Sequence, residues 1–179
     1  MGTPVSSSWG LGRLDLWAAG KSDGVLYHNF WAPDYYHGWE KLGGEFDTAP
    51  QVVHWGPNRI DIVGRFSGKS SYAYKFFDGF QWMPSFGGWI TMGGSFASEP
   101  AAASWGEQSF HILGLDVDGD LKWKFWQQDA WYPKGEDEYY SLGNASNPYA
   151  DAKSSQDSME KAGGEFREQV LFNGFKQDI

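Results

Sequence analysis

The chain contains no cysteine, which excludes a disulfide framework and a thiolate metal site. Basic residues are scarce: 14 Lys and Arg stand against 23 Asp and Glu, for a formal net charge of −9. That balance lacks the basic face that phosphate backbones and anionic lipid surfaces attract. Nucleic acid is therefore not an expected partner, and no apolar run is long enough for membrane insertion. The opening MGTPVSSSWG has neither the basic start nor the apolar stretch of a secretory leader. Met1-Gly2 with Ser6 fits a loose myristoylation pattern, but the segment runs straight into structured sequence. Localisation is not specified. His28, His37, His54 and His111 have no metal-ligand spacing among them. The stretch DVDGD (116–120) lacks the rest of an EF-hand loop and reads as a hairpin turn. No phosphate-cradling loop and no Ser or Cys nucleophile motif stands out. No cofactor is implied, and the expectation is a protein that is not an enzyme.

What is abundant is equally specific. Aromatic residues make up 18% of the chain, with 11 Trp, 9 Tyr and 13 Phe, and there are 24 Gly. Aromatics separated by glycine-based turns favour strands over helices, and no stretch before residue 150 has a helical period. The chain also repeats itself. Pro4, Pro50 and Pro100 each precede a Trp-Gly by five residues, at Trp9-Gly10, Trp55-Gly56 and Trp105-Gly106. An alternating strand follows, with Leu14/Leu16, Ile60/Ile62 and Phe110/Ile112 in register. A second aromatic strand comes next, LYHNFW (26–31), YAYKFF (72–77) and LKWKFW (121–126). Each copy closes on an aromatic and glycine, as WEKLGGEF (39–46), WITMGGSF (89–96) and, most weakly, YYSLGN (139–144).

A unit of 46 to 50 residues with about four short strands is the signature of a β-propeller blade. One small twisted sheet cannot bury both its faces, and radial stacking on neighbours does so. The expected fold is therefore all-β, built of β-propeller blades at about 4–49, 50–99 and 100–147 within a repeat domain over residues 1–150. Residues 151–179 read as a polar tail, able to form a short helix, or as a degenerate partial repeat, because KAGGEF (161–166) matches KLGGEF (41–46). Propellers need four to eight blades. Three blades leave three options: a piece of a longer propeller, a homo-oligomer that completes a ring, or an open stack.

The ordered set SSWGLGRLDLW, DGVLYHNFW and GWEKLGG, with VVHWGPNRIDIV and GGWITMGG, resembles the repeat of the PLL-type (Photorhabdus lectin-like) β-propeller lectins. The resemblance spans roughly residues 4–146 and fades in the third copy. It implies seven-bladed rings that bind fucose and related sugars between adjacent blades. The partner it implies is a carbohydrate or glycan.

The residues themselves offer two constellations. Arg13 and Asp15 lie two apart on one strand and so share a face, as do Arg59 and Asp61. Such a pair is either a structural ion pair or a fork for vicinal sugar hydroxyls. Repetition argues against acid/base catalysis, because a glycosidase needs one pair of carboxyls and not one per blade. In the third copy Ser109 and His111 replace both charges. The second constellation is aromatic. Trp9, Trp55 and Trp105 are equivalent, as are Trp39, Trp89 and Tyr139, and also His28, Tyr74 and Trp123. Flat rings at these positions are either packing between blades or platforms for the apolar face of a sugar. The candidate carbohydrate-binding set is Trp9, Arg13, Asp15, His28, Trp39, Trp55, Arg59, Asp61, Tyr74, Trp89 and Trp105. Two further readings stay open: a structural or protein-interaction module with degenerate sugar sites, and an accessory domain of a glycoside-acting enzyme.

Overall fold

A computed structural model describes residues 4–144 and 156–165. The fold is all-β, with three antiparallel sheets in chain order and one short helix. The first sheet holds β1 (Val5–Ser7), β2 (Leu14–Ala19), β3 (Leu26–Ala32), β4 (Tyr35–Tyr36) and β5 (Glu40–Lys41). The second holds β6 (Gln51–Val53), β7 (Ile60–Arg65), β8 (Tyr72–Phe77), β9 (Trp82–Met83) and β10 (Ile90–Thr91). The third holds β11 (Ala101–Ala103), β12 (Ser109–Leu115), β13 (Asp120–Gln127), β14 (Ala130–Tyr132) and β15 (Tyr140–Asn144).

Each sheet is four strands wide but contains five segments, one more than the repeat pattern predicts. The outermost strand is broken in two. Both β4 and β5 pair with β3, through Trp31↔Tyr36 and Tyr27↔Lys41, and β9 and β10 divide β8 in the same way. The break falls where Pro and Gly interrupt the pattern, at Pro84 with Gly87-Gly88 and at Pro133 with Gly135. The excursion between the two segments becomes the wall of a cavity in the second sheet.

Strand alternation decides which neighbour each side chain meets. In β2, Trp17 and Ala19 point toward the second sheet and pack on Ile60, Ile62 and Trp82. In β7, Ile60 and Ile62 point back while Val63 points forward onto Phe110 and Ile112 of the third sheet. The sheets are thus layered 1–2–3, and β6 lies against both β1 and β11. The closing glycines make the passage between layers possible. Gly43 and Gly44 adopt φ of 76° and 74°, a region open to glycine, and Gly43 abuts the backbone of Gly87, where a side chain has no room.

Residues 156–165 form a helix, α1, which buries Ala162 against Phe125, Tyr132 and Tyr140 on the far face of the third sheet. The expected match of KAGGEF to KLGGEF does not carry over into conformation: 161–165 are helical, whereas the earlier copy forms a strand end and a left-handed turn. Helix formers precede it in SSQDSMEKA, and Tyr140 Oη donates to Glu165 at 2.5 Å. The remaining tail, 145–155 and 166–179, lies outside the described residues. No helix among the described residues is long and apolar enough to cross a membrane.

Candidate functional site at the junction of the first and second sheets

The repeated Arg-Asp pair is a buried ion pair in both copies. Arg13 donates from Nε and Nη2 to Asp15 at 2.8 and 2.6 Å, and Arg59 donates to Asp61 with the same two distances. This two-pronged geometry is the strong form of the contact. Each guanidinium also lies between rings. Arg13 sits 4.2 Å from the Trp9 centroid and 3.5 Å from that of Phe30; Arg59 sits 5.0 Å from Trp55 and 4.1 Å from Phe76.

A third member completes each pair, supplied by the neighbouring strand. His28 Nε2 lies 2.7 Å from Asp15 Oδ1. Tyr74 Oη donates to Asp61 Oδ1 at 2.5 Å and accepts from Arg59 Nη2 at 3.1 Å. In the third copy Trp123 Nε1 donates to His111 Nδ1 at 3.2 Å, and Ser109 Oγ lies 3.0 Å from His111 Nε2. Indole only donates, so His111 Nδ1 accepts and its Nε2 proton goes to Ser109. Burial pushes the His111 pKa down and favours that neutral ring. The three triads have different chemistry and one hydrogen-bond plan. Dropping the charges together keeps every buried partner matched, because a lone Arg or Asp here would be left unpaired.

The variation extends one residue further. His28 has a second nitrogen, and Nδ1 lies 2.6 Å from Glu40 Oε1. The ring thus bridges the Asp15 and Glu40 carboxyls, one at each nitrogen. Tyr74 has one hydroxyl and needs no second acceptor, and the position equivalent to Glu40 is Ile90. Burial acts to raise the Asp15 pKa, but hydrogen bonds from His28 and Arg13 outweigh it and hold the carboxyl below its usual range.

Around the first triad the two sheets part. A cavity of about 790 Å³ is lined by Trp9, Arg13, His28, Phe30, His37 and Glu40 from the first sheet, and by Asn58, Ile60 and residues between Phe77 and Phe86, at the end of β8, in β9 and in the loops on either side of β9, from the second. Arg13 keeps one guanidinium nitrogen, Nη1, with no protein partner among the described residues. Phe80 and Phe86 stand exposed on the rim. The wall is held from behind by Lys75, which is fully buried and donates to the carbonyls of Ser85 and Gly88 at 2.6 Å each. Burial pulls the Lys75 pKa down to about 8.

At the second junction the same positions are filled. Trp126 stacks on Trp55 with ring centroids 6.0 Å apart, and Trp131 meets Tyr74 edge-on at 5.3 Å. Lys124 repeats the part of Lys75, donating to Gly135, Glu136 and Glu138 carbonyls.

Of the sequence-derived candidates, Trp9, Arg13 and His28 line the cavity, and Asp15 lies buried behind Arg13. Trp55, Arg59, Asp61 and Tyr74 belong to the filled junction. Trp89 is a wedge between the first two sheets, donating Nε1 to the Leu42 carbonyl and packing on Phe46. Tyr139 does the same one layer on, donating to Met92 O. Trp39, equivalent to both, is exposed, as is Trp105. Phe30, His37, Glu40, Phe77, Phe80 and Phe86 were not among the candidates. Phe30 was discoverable, because it lies two residues after His28 and so shares its face. Phe80 and Phe86 sit in the excursion DGFQWMPSFGG, whose path no periodicity specifies. No family model matches the chain, and no curated protein matches it.

Proposed function

We propose that the chain is a non-catalytic carbohydrate-binding protein whose sheets are blades of a PLL-type β-propeller, with one sugar site between the first and second. The observation that carries this reading is the cavity itself: aromatic walls from Trp9, Phe30 and Phe77, and polar groups from Arg13, Glu40, Asn58 and Gln81 converging on the same space. A sugar ring packs its C–H face on an aromatic while its hydroxyls pair with a fork of donors and acceptors. The volume of about 790 Å³ has room for a monosaccharide and part of a second residue. The layered arrangement, with β6 flanked by β1 and β11, supports the blade reading. Fucose-like sugars are the first choice on the strength of the repeat resemblance.

The test is a glycan array followed by titration with free fucose, read by tryptophan fluorescence. The expected result is one weak site per chain, abolished by Phe30→Ala together with Phe80→Ala. Absence of binding to every arrayed glycan, with the fold intact by circular dichroism, rejects the proposal. In that event the second reading, a protein-interaction module, gains from Phe80 and Phe86, which present aromatic surface at the cavity mouth.

A further inference from the structure

Glu40 is the only acidic residue that lines the cavity. Cross-strand register sets Glu40 opposite His28, Ile90 opposite Tyr74 and Tyr140 opposite Trp123. The junction that Trp126 closes in front of Arg59 therefore carries an isoleucine where the cavity carries a carboxyl. A carboxyl among aromatic walls is costly unless it is partnered. One of its oxygens is partnered by the protein. Glu40 Oε1 lies 2.6 Å from His28 Nδ1. His28 is itself fixed, stacked on Trp17 with ring centroids 3.9 Å apart and held 2.7 Å from Asp15 through Nε2. The other oxygen is free. Glu40 Oε2 makes no hydrogen bond among the described residues, and His37 Nε2 stands 3.8 Å from it, beyond hydrogen-bond reach. In the same cavity Asp15 engages Nε and Nη2 of Arg13, which leaves Nη1 as a free donor.

We infer that Glu40 is the specificity-determining residue of this cavity: Oε2 accepts from one sugar hydroxyl while Arg13 Nη1 donates to another, so that the ligand class is a glycan end with an unsubstituted pair of hydroxyls. The inference rests on the reading of the cavity as a sugar site. The two free protein atoms are of opposite kind, one acceptor and one donor, and a hydroxyl pair satisfies both because each hydroxyl can play either part. A ligand without a proton to give at that point leaves two acceptors facing each other unpaired. A site built around a hydrogen bond to a hydroxyl discriminates more sharply against its loss than an apolar wall does against a change of shape. The rail from Asp15 through His28 to Glu40 holds the acceptor in place before the ligand arrives, which limits the ordering cost of binding. The Arg-Asp pair recurs at the filled junction and serves the fold; Glu40 occurs in the first copy alone and serves the ligand.

The experiment titrates the full chain with L-fucose, and with fucose in which one hydroxyl at a time is replaced by fluorine, which cannot donate. A neutral monosaccharide that ranks higher on the glycan array takes the place of fucose. In wild type, fluorine at one position is expected to weaken binding by about tenfold or more. Glu40→Gln keeps the size of the side chain and turns its free end into a donor. It is expected to lose a similar factor on the parent sugar and nothing further on that fluorinated analogue. Glu40→Ile, which carries the second sheet's side chain at this position, is the second variant and is expected to behave alike; circular dichroism checks both folds. Wild type and variants of equal affinity for the parent sugar overturn the inference, as do losses from variant and fluorine that simply add at every position. In both cases wild type still binds sugar, so the sugar-site reading stands. A wild type that binds no arrayed glycan rejects that reading and takes this inference with it.

Discussion

Phe77 at the first junction and Trp126 at the second occupy one position in the repeat, and much of the difference between the junctions follows from that exchange. Trp126 reaches across to stack on Trp55 and closes the space in front of Arg59. Phe77 is shorter, and Trp9 turns instead to meet His54 edge-on, with centroids 5.9 Å apart. The space left in front of Arg13 is the cavity. Behind these rings the two junctions are alike: the same buried ion pair, the same ring stacked beneath the guanidinium, the same wedge hydrogen-bonded to a carbonyl of the previous sheet. The comparison separates what the fold requires from what an opening permits. The triad belongs to the fold, since it persists where Trp126 closes the space in front of Arg59, and the cavity follows from the smaller ring at the equivalent position.

The largest expected effect breaks the comparison at the triad. Asp61→Ala strands the Arg59 guanidinium and the Tyr74 hydroxyl in a filled junction and is expected to cost about 3–5 kcal/mol. Asp15→Ala frees Arg13 beside an open cavity, where water replaces the lost partner and His28 keeps Glu40. The expected loss there is roughly 1–3 kcal/mol, together with loss of ligand binding. Urea unfolding of both variants measures the gap. Equal losses would mean that the cavity does not hydrate the first triad.

The next effect sharpens the comparison by exchanging the rings. Trp126→Phe is expected to cost roughly 1–2 kcal/mol, as a large-to-small change at a packed contact, and to open a second cavity in front of Arg59. Phe77→Trp is expected to change stability by less than about 1.5 kcal/mol, since open space already exists for the larger ring. It should weaken ligand binding by about tenfold or more. Calorimetric stoichiometry is the readout: one site in wild type, none in Phe77→Trp, and a second site in Trp126→Phe if the ring alone holds that junction shut.

The repeat length, the strand faces and the equivalence of Trp9, Trp55 and Trp105 were legible in sequence because alternation leaves a period of two that spacing alone reveals. The Arg-Asp pairs were legible as sharing a face, but their structural character was not. It rests on His28, Tyr74 and Trp123, which lie 12 to 15 residues away across a strand pairing. Once register is known, the change from Arg and Asp to Ser109 and His111 reads as a conserved hydrogen-bond plan. The cavity was not legible, because it depends on the path of residues 78–89, a segment held by Lys75 and by the contact of Gly43 with Gly87. The similarity of KAGGEF to KLGGEF does not extend to conformation for a physical reason: five matching residues do not outweigh the helix-forming residues before them.

The smallest predicted effect compares the first and third copies through pH. Asp15 and His111 occupy one position, and both pKa values are depressed in the folded protein. For the carboxyl this means stability that is fully present above its unfolded pKa of about 3.9 and is lost as pH falls from there through the lower folded value. For the imidazole the unfolded chain takes up a proton first, below about 6.5, while the buried ring stays neutral. Stability therefore falls as pH drops from about 6.5 to the folded pKa of His111 and stays level below it. His54, also depressed by burial, adds to the same window. His111→Asn keeps an acceptor for Trp123 and a donor for Ser109 while removing the titration. Chemical unfolding across pH 7 to 5 is expected to show a shallower decline in that variant, with the acid limb below pH 4 unchanged. An unaltered slope between pH 7 and 5 would assign that window to other groups and remove His111 from the account.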